Sequence, residues 1–179
     1  RALKQRNALL KSLRSTRSDA AQSTLDVWND HLVESAIPMI QARRALVEKL
    51  GTPLGDAYAQ LTDGSKAVEA QYQSSLQVLD DDLQTSESAV LPAMSDAQLR
   101  DLFHRRLVEV ARKEKERGLT LVGPHRDDVL LKLGEAPAKG YASHGESWSL
   151  ALALKLSSYA VLRGDDAGDP ILILDDVFA

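Results

Sequence analysis

An α/β fold is predicted, with a helix-rich first part and a mixed second part, and three observations predict it. Apolar residues recur at helical spacing through residues 1–61 and again through 95–118. The segments "KAVEAQYQ", "DVLLKL" and "ILILD" are short, alternating or continuously apolar, and bounded by turn residues, as strands are. A long helical segment, an acidic linker and the run "ILILD" then follow one another at the end of the chain. The change from helical to mixed character falls near residues 117–123.

The elements can be justified in order. Leu3, Leu9, Leu10 and Leu13 form one stripe of a helix over residues 1–14, which the polar cluster "STRSDAAQST" interrupts. Leu25, Leu32, Met39 and Leu46 recur every seven residues, with Trp28 and Ala42 on the same seam, so a second, arm-like helix is expected to pack lengthwise on another. Pro38 removes a backbone donor there, and a kink or a break is expected near residues 34–38. After Gly51 and Pro53 a separate shorter helix is expected to run to Leu61, followed by a half-buried strand at "KAVEAQYQ". Ser95 with Gln98 three residues on is a capping box, and Leu99, Leu102, Phe103, Leu107 and Val110 give that helix its apolar face until Gly118 stops it. The strand "DVLLKL", a turn at Gly134 to Ala136, the helix "SHGESWSLALALKLSSYAVLRG" and a buried strand "ILILD" complete the chain.

Composition excludes several classes. At 179 residues, with 44% hydrophobic and 27% charged residues, the chain has ordinary globular composition. The longest apolar stretch, near Trp148 to Leu162, contains Lys155 and serines and falls short of the roughly 18 to 20 residues of a membrane span. We therefore expect a soluble protein. Zero cysteines exclude disulfides and thiolate metal sites. A net charge of −4 argues against a protein that coats nucleic acid globally, yet the charge is uneven. Arg1, Lys4, Arg6, Lys11, Arg14 and Arg17 crowd the first 18 residues without an acid, a face that suits either phosphates or solvent. The opening on Arg1 rather than Met, and the uncapped final segment, lead us to read the chain as a piece of something longer.

Two motifs carry chemistry. "ILILDD" has the form of a Walker B strand, apolar on both faces with acids emerging at its carboxyl end, where open α/β sheets bind ligands. Asp175 would hold a nucleotide-bound Mg²⁺ and Asp176 would orient the attacking water. A buried strand ending in a solvated turn has the same pattern. "ASHGESWSLALALKL" sets Ser143 and Gly145 directly before a long helix, where free N–H groups and the helix dipole attract anions. An ordinary serine at a helix start also fits. His125 and His144 flank the loops without a spaced carboxylate set and make a poor metal site, and no serine, histidine and acid constellation stands out.

Order decides between these readings: a helix-initiating S-x-G, about five helical turns, an acidic linker and an apolar strand ending in DD form the ABC-ATPase layout. With "GPHRDD", "KGYASHGE" and "ILILDDVFA" as anchors, residues 119–179 resemble the RecF family of recombination and repair ATPases, and "LKQRNALLK" is similar to the segment entering its helical second lobe. The resemblance implies a helical arm lobe with a short strand over residues 1–117, and the signature and Walker B part of an ABC-type P-loop ATPase head over 118–179. It implies that Ser143 and Gly145 contact the γ-phosphate of ATP held by an opposite subunit, so that ATP glues a homodimer. Asp175 takes the magnesium role and Asp176 the catalytic carboxylate position, where many relatives of the ATPase class carry glutamate. Glu146 departs from the glutamine frequent after the signature glycine, and a carboxylate there would repel phosphate unless it only serves the helix start. In "GPHRDD", Arg126 suits a phosphate, while Asp127 and Asp128 suit backbone hydrogen bonds in a turn.

As a family member the intact protein is expected in the cytoplasm, binding DNA at gaps and at junctions of single and double strands, working with RecO and RecR, and loading RecA recombinase. The basic residues 1–18 and the Arg105, Arg106, Arg112, Lys113 cluster are candidate DNA contacts or solvated faces. No G-x-x-x-x-G-K-[ST] occurs in the chain, so the phosphate-cradling loop is expected on sequence outside it, and the chain alone is expected to hydrolyse nothing. Two alternatives remain: another ABC-type chromosome ATPase of the SMC group, whose arms are far longer, and a non-enzymatic helical module that binds a partner helix through the seven-residue seam.

Overall fold

The structure is a computed structural model that describes residues 1–14, 19–64, 66–77, 90–164 and 169–175. Its described elements are helices α1 (Ala2–Leu13), α2 (Asp19–Leu61), α3 (Asp96–Arg117), α4 (Ala138–Tyr141) and α5 (His144–Gly164), and strands β1 (Val68–Gln73), β2 (Asp128–Leu133) and β3 (Ala136–Pro137). The strands form one sheet in the order β1-β2-β3. The fold is α/β, as the sequence predicts. Contacts divide the chain into two compact units, residues 1–43 with 72–128, and residues 44–71 with 129–179.

In the first unit α1 packs on α3. The face of α3 is the predicted one, with Leu99, Leu102, Phe103, Leu107 and Val110 buried, and Glu114 buried beside them. Its capping box is formed in both directions: Gln98 N donates to Ser95 Oγ at 3.3 Å and Ser95 N to Gln98 Oε1 at 2.9 Å. Gly118 closes the helix with a left-handed φ of 68° that glycine alone adopts without strain.

The predicted basic face of α1 is only partly a face. Arg6 is 1% exposed, and each nitrogen of its guanidinium donates: Nη2 to Glu114 Oε2 at 2.5 Å, Nη1 to Thr120 Oγ1 at 2.7 Å, and Nε to Asn29 Oδ1 at 2.8 Å. Glu114 Oε1 in turn accepts Leu121 N at 2.7 Å, and Asn7 Oδ1 accepts both the backbone N–H and the hydroxyl of Thr120. One buried cation therefore ties α1, α2, α3 and the segment after α3 together. Arg6 is thereby removed from the candidate DNA contacts, whereas Arg1, Lys4, Lys11 and Arg14 are exposed.

Helix α2 departs from expectation in three ways. It starts at Asp19, inside the polar cluster, and it runs unbroken for 43 residues through Pro38, Gly51 and Pro53. The expected break after Gly51 is absent because tertiary packing outweighs local propensity: Val47, Leu54, Ala57 and Tyr58 are all buried. The seven-residue seam also fails to stay in one place. Leu25 and Leu32 are buried, but Met39 and Leu46 are 46% and 48% exposed, their places taken by Ala36, Ile40 and Val47. A straight helix turns by about 20° per heptad, so a strict seven-residue repeat rotates off the buried side.

The second unit is built around Leu54, Ala57 and Tyr58 of α2, Leu133 of β2, and Leu150 and Ala153 of α5. Strand β2 turns back into β3 through Gly134, at φ 60°, with Leu133 paired to Ala136. The expected strand at "ILILD" is not formed: residues 171–175 carry no strand assignment and are exposed, Ile171 by 89% and Ile173 by 84%. A strand buried on both faces needs neighbours, and none of the three described strands pairs with it.

Arg6→Met should destabilise the protein by about 3 to 5 kcal/mol, because Glu114 is left charged and buried without its partner. The double variant Arg6→Met, Glu114→Leu should recover most of that loss, as read from denaturant midpoints. Equal losses in both variants would show that packing rather than charge carries the effect.

Candidate functional site

The start of α5 is prepared by the residues before it. Pro137 leads into the single turn α4, where Gly140 takes a φ of 86°, and Ala142 is extended at φ −69°, ψ 136°. The chain thus enters α5 with Ser143 at the capping position. Glu146 N donates to Ser143 Oγ at 3.3 Å, and Ser143 N donates to Glu146 Oε2 at 2.8 Å. This is a second capping box, spelled S-x-x-E at residues 143–146 as plainly as S-x-x-Q is at 95–98. That signal was legible in the sequence and accounts for Glu146.

Lys66 is the residue that sequence reasoning missed. Its Nζ forms an ion pair with Glu146 Oε1, so both carboxylate oxygens are engaged. Lys66 reaches this place because α2 ends in a turn in which Thr62 Oγ1 donates to Tyr58 O at 2.8 Å and Gly64 takes a φ of 71°. Gly134 N then anchors the next residue, donating to Ala67 O at 2.8 Å. The Lys66 ammonium, with help from the Ser143 N–H, holds the Glu146 carboxyl down to about 2. The same pair raises the ammonium of Lys66.

What remains at this helix start is a set of donors. Gly145 has nothing within 4 Å of the place a Cβ would occupy and is exposed, so a ligand can approach its backbone. The N–H groups of the first turn lie at the positive end of the helix dipole. Ser143 Oγ accepts one hydrogen bond from Glu146 N, and its hydroxyl also lies against the Glu146 carboxylate. These groups suit an anion with several oxygens.

Asp175 is exposed beside α5, in a groove of about 490 Å³ shared by Trp148, Ala151, Leu152, Lys155 and residues 171–175. No hydrogen bond or ion pair among the described residues joins it to Ser143 or Gly145. Asp176 lies outside the described residues. No group of three His, Cys, Asp or Glu side chains able to hold a metal occurs among the described residues, His125 and His144 included. A lone carboxylate is a donor set that fits an Mg²⁺ carried largely by water and phosphate, and does not fit a metal held by the protein alone.

The "GPHRDD" segment divides its work within the first unit. Asp127 accepts the Tyr72 hydroxyl at 2.5 Å, the Ser75 hydroxyl at 2.7 Å and Ser75 N at 2.8 Å. Burial, and then the neighbouring Asp127 carboxylate, raise the Tyr72 phenol well above its usual range. Gly123 is required where it stands, since its φ is 122° and a Cβ would meet Phe103 at 3.0 Å. Asp127 thus anchors the end of β1 rather than only its own turn, while Arg126 is exposed. In the second basic cluster Arg106 is committed to Leu76 O and Glu109 and Arg112 pairs with Glu116, while Arg105, Arg112 and Lys113 are exposed.

The depressed Glu146 carboxyl sets a pH dependence. Its contribution to stability is complete above the ordinary value of 4.5 and is lost as pH falls through about 2. The thermal midpoint of the wild type should therefore exceed that of Glu146→Gln only slightly near neutrality, the pair being partly open to water, and this small advantage should vanish between pH 5 and pH 2. A gap that is constant across that window would show that the charge on Glu146 contributes nothing.

Comparison with known proteins places this architecture. No protein-family model matches the chain. Two curated proteins called DNA replication and repair protein RecF match it over its full length: that of Renibacterium salmoninarum is 49% identical and that of an Arthrobacter species 51%. The chain spans about half the length of these relatives, 49% and 48%. A solved structure described as the recombination mediator protein RecF-ATP in the RecFOR pathway superposes with a TM-score of 0.83 at 25% identity, over 98% of this chain and 43% of that one. Its counterpart with ATPrS gives the same values. The shared fold is of the ABC-type ATPase class, and with half of its residues matched along its whole length, the chain belongs to the RecF family.

Proposed function

We propose that this chain is the arm-lobe and signature half of an ATP-dependent DNA replication and repair protein. The observation that carries the reading is the start of α5: an open glycine, an exposed serine hydroxyl and first-turn N–H groups stand together, and the adjacent carboxylate is paired with an ammonium. Ser143 and Gly145 receive the γ-phosphate of ATP bound by a second copy, which makes a homodimer dependent on ATP. Asp175 holds the Mg²⁺ of the nucleotide and Asp176 orients the attacking water. Residues 1–117 form the arm lobe and 118–179 part of the head. The intact protein acts in the cytoplasm, binds DNA at gaps and strand junctions, and works with RecO and RecR to load RecA. The likeness to a RecF-ATP structure of the RecFOR pathway supports both the nucleotide and this setting.

The test is ATP hydrolysis by the full-length protein that carries this segment, with DNA present. Asp176→Asn should keep ATP binding and slow turnover by about a hundredfold or more, the loss expected when a general base is removed. Equal turnover in the two proteins would remove Asp176 from the mechanism. The exposed cations of α1 give an independent check on DNA. Lys4→Gln should lower the slope of log affinity against log salt by about 0.9, the value of one phosphate contact. An unchanged slope would make α1 a solvated face.

A further inference from the structure

A carboxylate in a phosphate-binding loop is an electrostatic liability, and Glu146 follows the signature glycine directly. Placed a few ångströms from a γ-phosphate it lies well inside a Debye length of about 8 to 10 Å, so salt does not hide it. The geometry around it supplies the remedy. Glu146 Oε2 is folded back onto Ser143 N, and Oε1 faces the ammonium of Lys66. Lys66 comes from a different part of the chain, and the turn through Thr62 and Gly64 together with the Ala67–Gly134 hydrogen bond delivers it there.

We propose that Lys66 is a positioning residue of the nucleotide contact: by clamping and neutralising Glu146, it leaves the Ser143 hydroxyl and the Gly145 N–H to receive a phosphate that the carboxylate would otherwise repel. The proposal rests on the reading of Ser143 and Gly145 given above. As a stabilising contact the pair is weak, because the Lys66 side chain is 49% exposed and the Glu146 side chain 24%, and ion pairs of that exposure contribute little to folding. Its weight falls on the local field instead. The carboxylate is retained for the cap, the ammonium cancels its charge, and the helix dipole is left to act on the ligand.

The experiment is ATP-dependent self-association of the full-length protein, followed by sedimentation with ATP and Mg²⁺, alongside thermal midpoints of each variant. Lys66→Gln should weaken association by about tenfold with little change in midpoint. Lys66→Arg should behave as wild type, and the double variant Lys66→Gln, Glu146→Gln should recover association because the uncompensated charge is gone. The inference is overturned if Lys66→Gln associates normally while Ser143→Ala does not, or if the double variant stays as weak as Lys66→Gln. If the wild type fails to associate with ATP, or Ser143→Ala has no effect, the reading of the α5 start fails and takes the role of Lys66 with it.

Discussion

The buried Arg6–Glu114 pair is the constraint on which the first unit depends. Removing two charges from water is costly, and the cost is met only when geometry is good and the remaining hydrogen-bonding capacity is filled. Here each nitrogen is served: Asn29 and Thr120 accept from Nε and Nη1, and Leu121 N donates to the second carboxylate oxygen. The partners come from α2, α3 and the segment after α3, so these elements can meet α1 in only one register. A leucine at position 6 would pack against many arrangements of three helices, whereas an arginine with this set of acceptors fits one.

The second unit uses charge differently. Its core is apolar, formed by Leu54, Tyr58, Leu133, Leu150 and their neighbours, and holds α5 against β2 and the end of α2. The ionic contact lies at the rim, where Lys66 meets Glu146 in partial contact with water. A buried pair specifies which elements meet, while a rim pair shapes the potential at a helix start without deciding the fold. Both pairs join residues distant in sequence, and neither is visible as a local charge pattern.

That distinction explains what was legible beforehand. The capping box of Ser95 and Gln98, the apolar face of α3 and the stop at Gly118 are local, and the structure repeats them. Strands β1 and β2 follow from alternation, whereas β3 at Ala136–Pro137 lies partly where only a turn after Gly134 was expected. The path of α2 was misread at Gly51 and Pro53 because breakers act locally while Leu54, Ala57 and Tyr58 are buried by partners elsewhere. The heptad seam was misread because 3.6 residues per turn does not divide seven. Arg6 could not be told from Lys4 or Lys11 by position, since two of its three acceptors lie 108 and 114 residues away. "ILILD" has a strand's residues without a strand's neighbours. At the site, Ser143 and Gly145 were legible from order along the chain, and Glu146 was legible as a cap. Lys66 was not, because only folding brings the end of α2 to the start of α5.

The reach of Arg6 also bears on the order in which the protein can be made. A ribosome adding about 5 to 20 residues per second needs roughly 5 to 20 s to pass from position 6 to position 114, a separation of 108 residues. Throughout that interval α1 emerges with its central cation unanswered and must stay in water. The first unit can therefore close only after α3 and Thr120 have left the exit tunnel, which makes its folding late and cooperative. A nascent chain halted before Glu114 carries a helix that has nowhere to dock.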